Sequence, residues 1–167
     1  MLPTRALTLK QPWCWFVMDS SHPSPKRLEN RPRRVCNFRD WVPRGEFWIH
    51  AGKGDDGAYW QASIEQVRAA FGERYPVPRS PDVPRGGIVG RACIIGMVSP
   101  GGVLEIEKAE RAAFDFSALD LRWHFPGSHA YVLADVRPVP FVPCNGMLGF
   151  FPLKPATLDH LASLGER

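Results

Sequence analysis

Seventeen prolines and fifteen glycines are scattered through a chain of 167 residues, nearly one residue in five, against a usual share of about one in eight. Proline inside a helix removes a hydrogen bond and clashes with the preceding turn, and glycine surrenders the most backbone entropy on ordering. Helical bundles and coiled coils are therefore excluded, and short elements joined by many turns are expected. The longest stretch without charge, 138–153, holds four of the prolines. It cannot form a membrane helix, which takes roughly 20 mostly apolar residues. With 44% hydrophobic and 11% aromatic residues, the chain has enough apolar area for one core, which excludes wholesale disorder. The length fits a single domain over 1–167.

Period-two alternation marks a strand at 5–9, and Gln11-Pro12-Trp13 opens a helix running to about Met18, because proline is tolerated where the first helical N–H is unpaired. Residues 26–34 read as an extended segment, with Pro32 confining it to an edge or bulge. Aromatic and β-branched content makes 46–51 a strand. From Gly57 to Phe71, the residues Trp60, Ile64, Val67 and Phe71 recur at helical spacing and form one apolar stripe. A proline-rich loop follows at 76–84. The stretch 87–98 reads as the longest core strand, with Gly90 and Gly96 marking bends or bulges. A short helix is expected at 107–114, strands at 130–140 and 149–153, and a terminal helix at 157–164. The sum is an α+β fold, a small β-barrel of five or six strands with flanking helices.

Charge is concentrated rather than spread. The net charge is +4, and one third of all cationic residues lie between 26 and 44: Lys26, Arg27, Arg31, Arg33, Arg34, Arg39 and Arg44, opposed by Glu29 and Asp40. Strand alternation would place Arg27, Glu29, Arg31 and Arg33 on one face and turn Lys26 and Arg34 to the other. Guanidinium forks pair bidentately with phosphate oxygens, and a solvated surface is the competing reading. Trp13, Trp15, Phe38, Trp41 and Trp48 are interleaved with these charges. Burial is the ordinary fate of tryptophan, but Trp13 and Trp41 adjoin prolines or loops and could stack an unpaired base. Lys10, Lys53, His50 and Glu29 supply acid, base or nucleophile chemistry if their segments are neighbours. His50 would otherwise be a packed side chain with a hydrogen bond, and Glu29 an ion-pair partner of Arg31 or Lys26.

Cys14, Cys36, Cys93 and Cys144 stand far apart, and His22, His124, His129 and His160 show no ligand spacing. Reduced thiols, no metal and no cofactor are expected. The first residues carry no charged region followed by an apolar run, so the expectation is a cytoplasmic protein with no membrane partner.

Three motifs in order, the 6–13 stretch ending in Gln-Pro-Trp, Lys26-Arg27-Leu28-Glu29-Asn30-Arg31, and the 44–53 stretch ending in Ile-His-Ala-Gly-Lys, resemble the ASCH domain (activating signal cointegrator homology) of the PUA-like superfamily. The stretches 84–90 and 146–151 extend the likeness along nearly the whole chain. The segments at about 55–82, read as a helical insertion, and 103–125 match least. The resemblance implies a PUA-like barrel with a cleft beside the Gln-Pro-Trp helix, in a superfamily that mostly binds RNA or modified nucleic-acid bases. It places Gln11, Trp13, Lys26, Glu29, Arg31 and Lys53 on the cleft motifs, and Asn145 and Gly146 on the loop before the last strand.

The expectation is therefore a nucleic-acid-binding protein. It would hold a single-stranded, flipped or modified base of RNA or DNA, with Lys10, His50, Arg33 and Arg34 among its contacts. The first alternative is a hydrolase of RNA or of a modified nucleoside, with Lys26, Glu29 and Lys53 as catalytic candidates. Some small relatives are acetylcytidine amidohydrolases using a lysine, a threonine three residues later and a glutamate; here Glu29 occupies the threonine position. A protein-interaction domain meeting an acidic partner is the second alternative.

Overall fold

The computed structural model describes residues 2–31, 45–54, 56–106 and 114–165. Seven strands form one mixed sheet in the order β2-β6-β4-β3-β1-β7, with β5 pairing β4 off that path. The strands are β1 (Arg5–Leu9), β2 (Leu28–Arg31), β3 (Gly45–Ala51), β4 (Gly87–Val98), β5 (Leu104–Ile106), β6 (His129–Pro143) and β7 (Phe150–Pro152). Six of them fall on the segments expected to be extended, and the three-residue β5 adds a seventh that its length hides in the sequence. The helices are α1 (Trp13–Met18), α2 (Gly57–Phe71) and α3 (Pro155–Gly165). The architecture is the expected α+β curled sheet with flanking helices.

β1 and β3 run parallel, Ala6 opposite Trp48 and Leu9 opposite Ala51, while the other pairings are antiparallel. A parallel pair needs a crossover, and this one carries α1 and β2, which moves the 26–31 segment to the far edge beside β6. The longest strand is β6, not β4, with 15 residues against 12. Pro138, Pro140 and Pro143 do not end it: Pro138 and Pro143 stay in register with Gly90 and Gly87, and Pro140 falls where the ladder skips, one of three such places. Those skips include Ile88/Gly90 and Ile94/Gly96, the two glycines expected to mark bulges. A side chain at position 90 would meet Arg137 O at 2.7 Å and the Met18 side chain, so the missing Cβ lets α1 and β6 close on β4.

Three apolar clusters fill the interior. Cys14 and Val17 of α1 pack with Leu7, Ile49, Ile94 and Leu133, whereas Phe16 faces an aromatic cluster with Trp123, Leu28 and Val132. The whole apolar stripe of α2 joins that second cluster, Ile64 and Val67 buried within it and Trp60 and Phe71 packed on it. α3 covers Trp48, Ile88 and Phe151 with Leu161. At the start of α2, Asp56 Oδ1 accepts from Ala58 N and Tyr59 N at 3.0 and 3.1 Å, an N-cap that fixes where the helix begins. Residues 32–44, and with them Arg33, Arg34, Cys36, Phe38, Arg39, Asp40, Trp41 and Arg44, lie outside the described residues, as do 107–113 of the short helix expected at 107–114.

Candidate functional site

β2 is short, and this decides where the first candidate side chains go. Pairing with β6 begins at Leu28, so Lys26 precedes the strand and escapes its alternation. The expected separation of Lys26 from Glu29 does not occur: Lys26 Nζ donates to Glu29 Oε2 at 3.0 Å and also to Leu28 O. Arg27 leaves the Glu29 face instead, its Nη1 donating to Val17 O at the end of α1. Arg31 does share that face, with Nη2 at 3.7 Å from Glu29 Oε1.

Lys26 is 1% exposed and Glu29 7%, so this is a buried ion pair, costly to desolvate and held by its mutual hydrogen bond. Burial pushes the Lys26 ammonium below the ordinary lysine value, and Glu29 pulls it back. The Nε and Nη2 atoms of Arg31 are buried without a hydrogen-bond partner among the described residues. Such orphaned donors are rare in folded proteins.

These groups form the floor of a cleft of about 740 Å³. Trp13 stands over Lys26, its ring centre 5.9 Å from Nζ, and meets Phe125 edge-on at 5.1 Å. Its indole N–H donates to Tyr59 Oη at 2.9 Å, which ties the first turn of α2 to α1. Lys10 Nζ lies 4.8 Å from the Tyr59 ring centre on the outer side. The wall carrying Phe125 is held by Asn30, whose amide donates to Trp123 O at 2.8 Å and accepts from Phe125 N at 2.9 Å. An aromatic-walled recess with one carboxylate, one ammonium and a guanidinium at its base can stack a planar ring and hydrogen-bond its edge.

A second recess of about 450 Å³ adjoins the first, sharing Thr8, Lys10, Tyr59 and Leu148 with it. His50 lies at its back, 1% exposed. Its Nε2 is 3.2 Å from Cys144 O, which can only accept, so that nitrogen carries the proton. Its Nδ1 lies 3.2 Å from Thr8 Oγ1, which donates to Met147 O at 2.7 Å. Burial holds the imidazole below its ordinary value, and the Lys53 charge acts the same way. His50 thus fastens the 144–149 loop. Gly146 is needed there, since a Cβ would fall 2.5 Å from the imidazole Nδ1. Asn145 accepts from Lys53 Nζ at 3.3 Å across the same recess.

The structure accordingly gathers Lys10, Trp13, Lys26, Glu29 and Arg31 around one recess and Gln11, His50, Lys53, Asn145 and Gly146 around its neighbour. Gln11 is committed on both sides, accepting from Trp15 N at 3.0 Å and donating to Pro84 O at 2.8 Å. Sequence reasoning passed over Thr8, Asn30, Tyr59, Phe125 and Leu148. Of these, Thr8, Asn30 and Leu148 lie within the stretches that carry the resemblance, and Tyr59 lies in the first turn of a helix already drawn, whereas Phe125 had no signal. The described cysteines Cys14, Cys93 and Cys144 are free, and no metal-holding cluster occurs among the described residues.

No family model matches the chain, and neither does any curated protein. Among solved structures, the chain is similar to the ASCH protein of Zymomonas mobilis, with a TM-score of 0.48 and 14% identity over 96% of this chain and 94% of that one. It is also similar to two point variants of the same protein, a serine-to-alanine and a tyrosine-to-phenylalanine form. Both have TM-scores of 0.46 and cover 96% of this chain, at 14% and 13% identity and over 94% and 96% of their own chains respectively.

Proposed function

We propose that this protein is an ASCH-type nucleic-acid-binding domain whose larger recess takes one unpaired, ordinary or modified, base. The observation that carries the reading is Arg31: two buried guanidinium nitrogens, Nε and Nη2, make no hydrogen bond among the described residues, beside the Lys26–Glu29 pair and under an aromatic wall. A base or phosphate oxygen placed there would satisfy them. Glu29 offers acceptor oxygens to an exocyclic amine, as a carboxylate does for cytosine. Trp13, Tyr59 and Phe125 offer ring surface for stacking.

The motifs that resemble the ASCH family support this reading because they converge from three separate segments on one joined cleft. The test is binding of single-stranded RNA and DNA pools between about 50 and about 200 mM salt, since phosphate contacts release counterions and make affinity salt-sensitive. Salt-sensitive binding that Arg31→Met weakens is the expected result. Binding indifferent to both would overturn the reading.

Burial lowers the proton affinity of the Lys26 amine while Glu29, hydrogen-bonded to it at 3.0 Å, raises it, and this buried pair facing the cleft favours a second reading in which it hydrolyses the bound nucleic acid or nucleoside. Mass spectrometry of the nucleosides and strands before and after incubation separates the two. Unchanged material leaves the first reading standing alone.

A further inference from the structure

Thr8 and His50 are register partners on the parallel strands β1 and β3, and both strands end at the next residue. Beyond those ends, Thr8, His50, Lys53 and Asn145 line the second recess of about 450 Å³. Hydrogens are short around the pair. The Nε2–H of His50 goes to Cys144 O at 3.2 Å, which turns the Nδ1 lone pair toward Thr8 Oγ1, also at 3.2 Å. The Thr8 hydroxyl has a single hydrogen and two acceptors beside it, His50 Nδ1 and, at 2.7 Å, Met147 O. Rotation about the Cβ–Oγ1 bond passes that hydrogen from one to the other. An acceptor left waiting in the interior costs stability, and a threonine needed only to clasp the loop has no use for an imidazole lone pair at its oxygen.

A hydroxyl within reach of a neutral base, itself oriented by a third group, is the arrangement that activates a nucleophile. Cys144 O is that third group, and the Phe151 ring, edge-on at 5.6 Å, steadies the imidazole plane. Burial, and after it the Lys53 charge, hold the imidazole below its ordinary value against the Cys144 bond, so it stands neutral near pH 7. An attacking hydroxyl also needs a cation for the charge that develops on a carbonyl oxygen. Lys53 Nζ stands across the recess, tethered to Asn145 Oδ1 at 3.3 Å. Tyr59, Trp60, Met147 and Leu148 give the same recess apolar walls that suit an acyl chain.

We propose that Thr8 and His50 act as nucleophile and general base in the second recess, hydrolysing carboxylic esters of apolar acyl groups. Thr8 Oγ1 bonds to the carbonyl carbon as its proton passes to His50 Nδ1, and the carbonyl oxygen takes the electron pair, facing Lys53. The bond to the alcohol oxygen then breaks, and the alcohol leaves with the proton from Nδ1. Water reverses the sequence on the acyl-Thr8 ester: it gives a proton to Nδ1, its oxygen bonds to the acyl carbon, and the carboxylic acid departs as Thr8 Oγ1 takes the proton back. Esters suit the pair better than amides, because an alcohol oxygen leaves with less help from a proton than an amine nitrogen does. This activity is independent of the base-binding reading of the first recess.

The test incubates the full chain with p-nitrophenyl butyrate, follows nitrophenol release, and maps acid-trapped adducts by mass spectrometry. Release well beyond one equivalent is expected, with a butyryl group on the tryptic peptide 6–10, in which Thr8 carries the sole hydroxyl. Thr8→Val should lower kcat/KM about a hundred-fold or more, the lower end of what a positioned base contributes, and His50→Gln should lose turnover likewise. Thr8→Ser keeps the hydroxyl and should keep turnover and carry the adduct, which separates lost chemistry from lost folding. Undiminished turnover in Thr8→Val, adducts confined to lysines, or no turnover by the folded wild type would overturn the proposal. Each of these outcomes leaves salt-sensitive binding of single strands where it stands.

Discussion

Lys26 and Glu29 form the residue pair on which the site depends most. Removing one partner of a buried pair strands the other's charge, at a cost of about 3 to 5 kcal/mol. Lys26→Met should therefore lower stability by that order in urea unfolding, and Lys26→Met with Glu29→Leu should recover most of it; a double variant as unstable as the single one would contradict the pairing. His50 gives a prediction in pH. Its folded pKa lies below the model-peptide value of 6.5 because of burial, so the unfolded chain takes up a proton that the folded one resists. Stability should be whole above about pH 6.5 and fall as the pH drops toward the folded value. Thermal melts over about pH 5 to 7.5 should show this decline in the wild type and a shallower one in His50→Gln. An equal slope in both would place the titration elsewhere. At this scale the sequence was a partial guide. Lys26 and Glu29 could be named and an ion pair between them was one open role, but alternation assigns them to opposite faces, and only the late start of β2 brings them together.

Among the elements, α2 was the most legible, since a stripe repeating every three or four residues over four turns has few other readings. Its Asp56 cap is separable from the site chemistry. Asp56→Ala leaves two N–H groups of the first turn without their side-chain acceptor and should cost about 1 kcal/mol of stability. It should also loosen Tyr59 from Trp13 and weaken base binding modestly, and a variant with unchanged unfolding would show that the cap does not define the helix start. β6 was legible in kind and not in length. Its three prolines argue against a central strand, yet Pro138 and Pro143 pair with Gly90 and Gly87, and Pro140 falls in one of the steps of the register. β5, three residues long, carries no periodicity to read.

For the molecule as a whole, the α+β class followed from the density of proline and glycine, and the curl of the sheet from glycines in the middle of β4. The cleft itself depended on partnerships that no local pattern encodes. β2 lies at the far edge of the sheet from β1, yet Lys10 and Glu29 face one recess because α1 bridges them and α2 closes the side. Asn30, which pins the Phe125 wall through residues more than ninety positions away, lies within a quoted motif, but nothing in the sequence says which distant segment it holds. Asn30→Leu should free that wall, lowering affinity for a single strand with a smaller loss of global stability than Lys26→Met.

The central claim is that an unpaired base enters between Trp13, Tyr59 and Phe125. Photocrosslinking of a single strand carrying a zero-length reactive base, followed by peptide mapping, tests it most directly. The account predicts crosslinks on the peptides of α1, the first turn of α2 and the 123–128 segment. Crosslinks confined to α3 or to the outer face of β6 would contradict it.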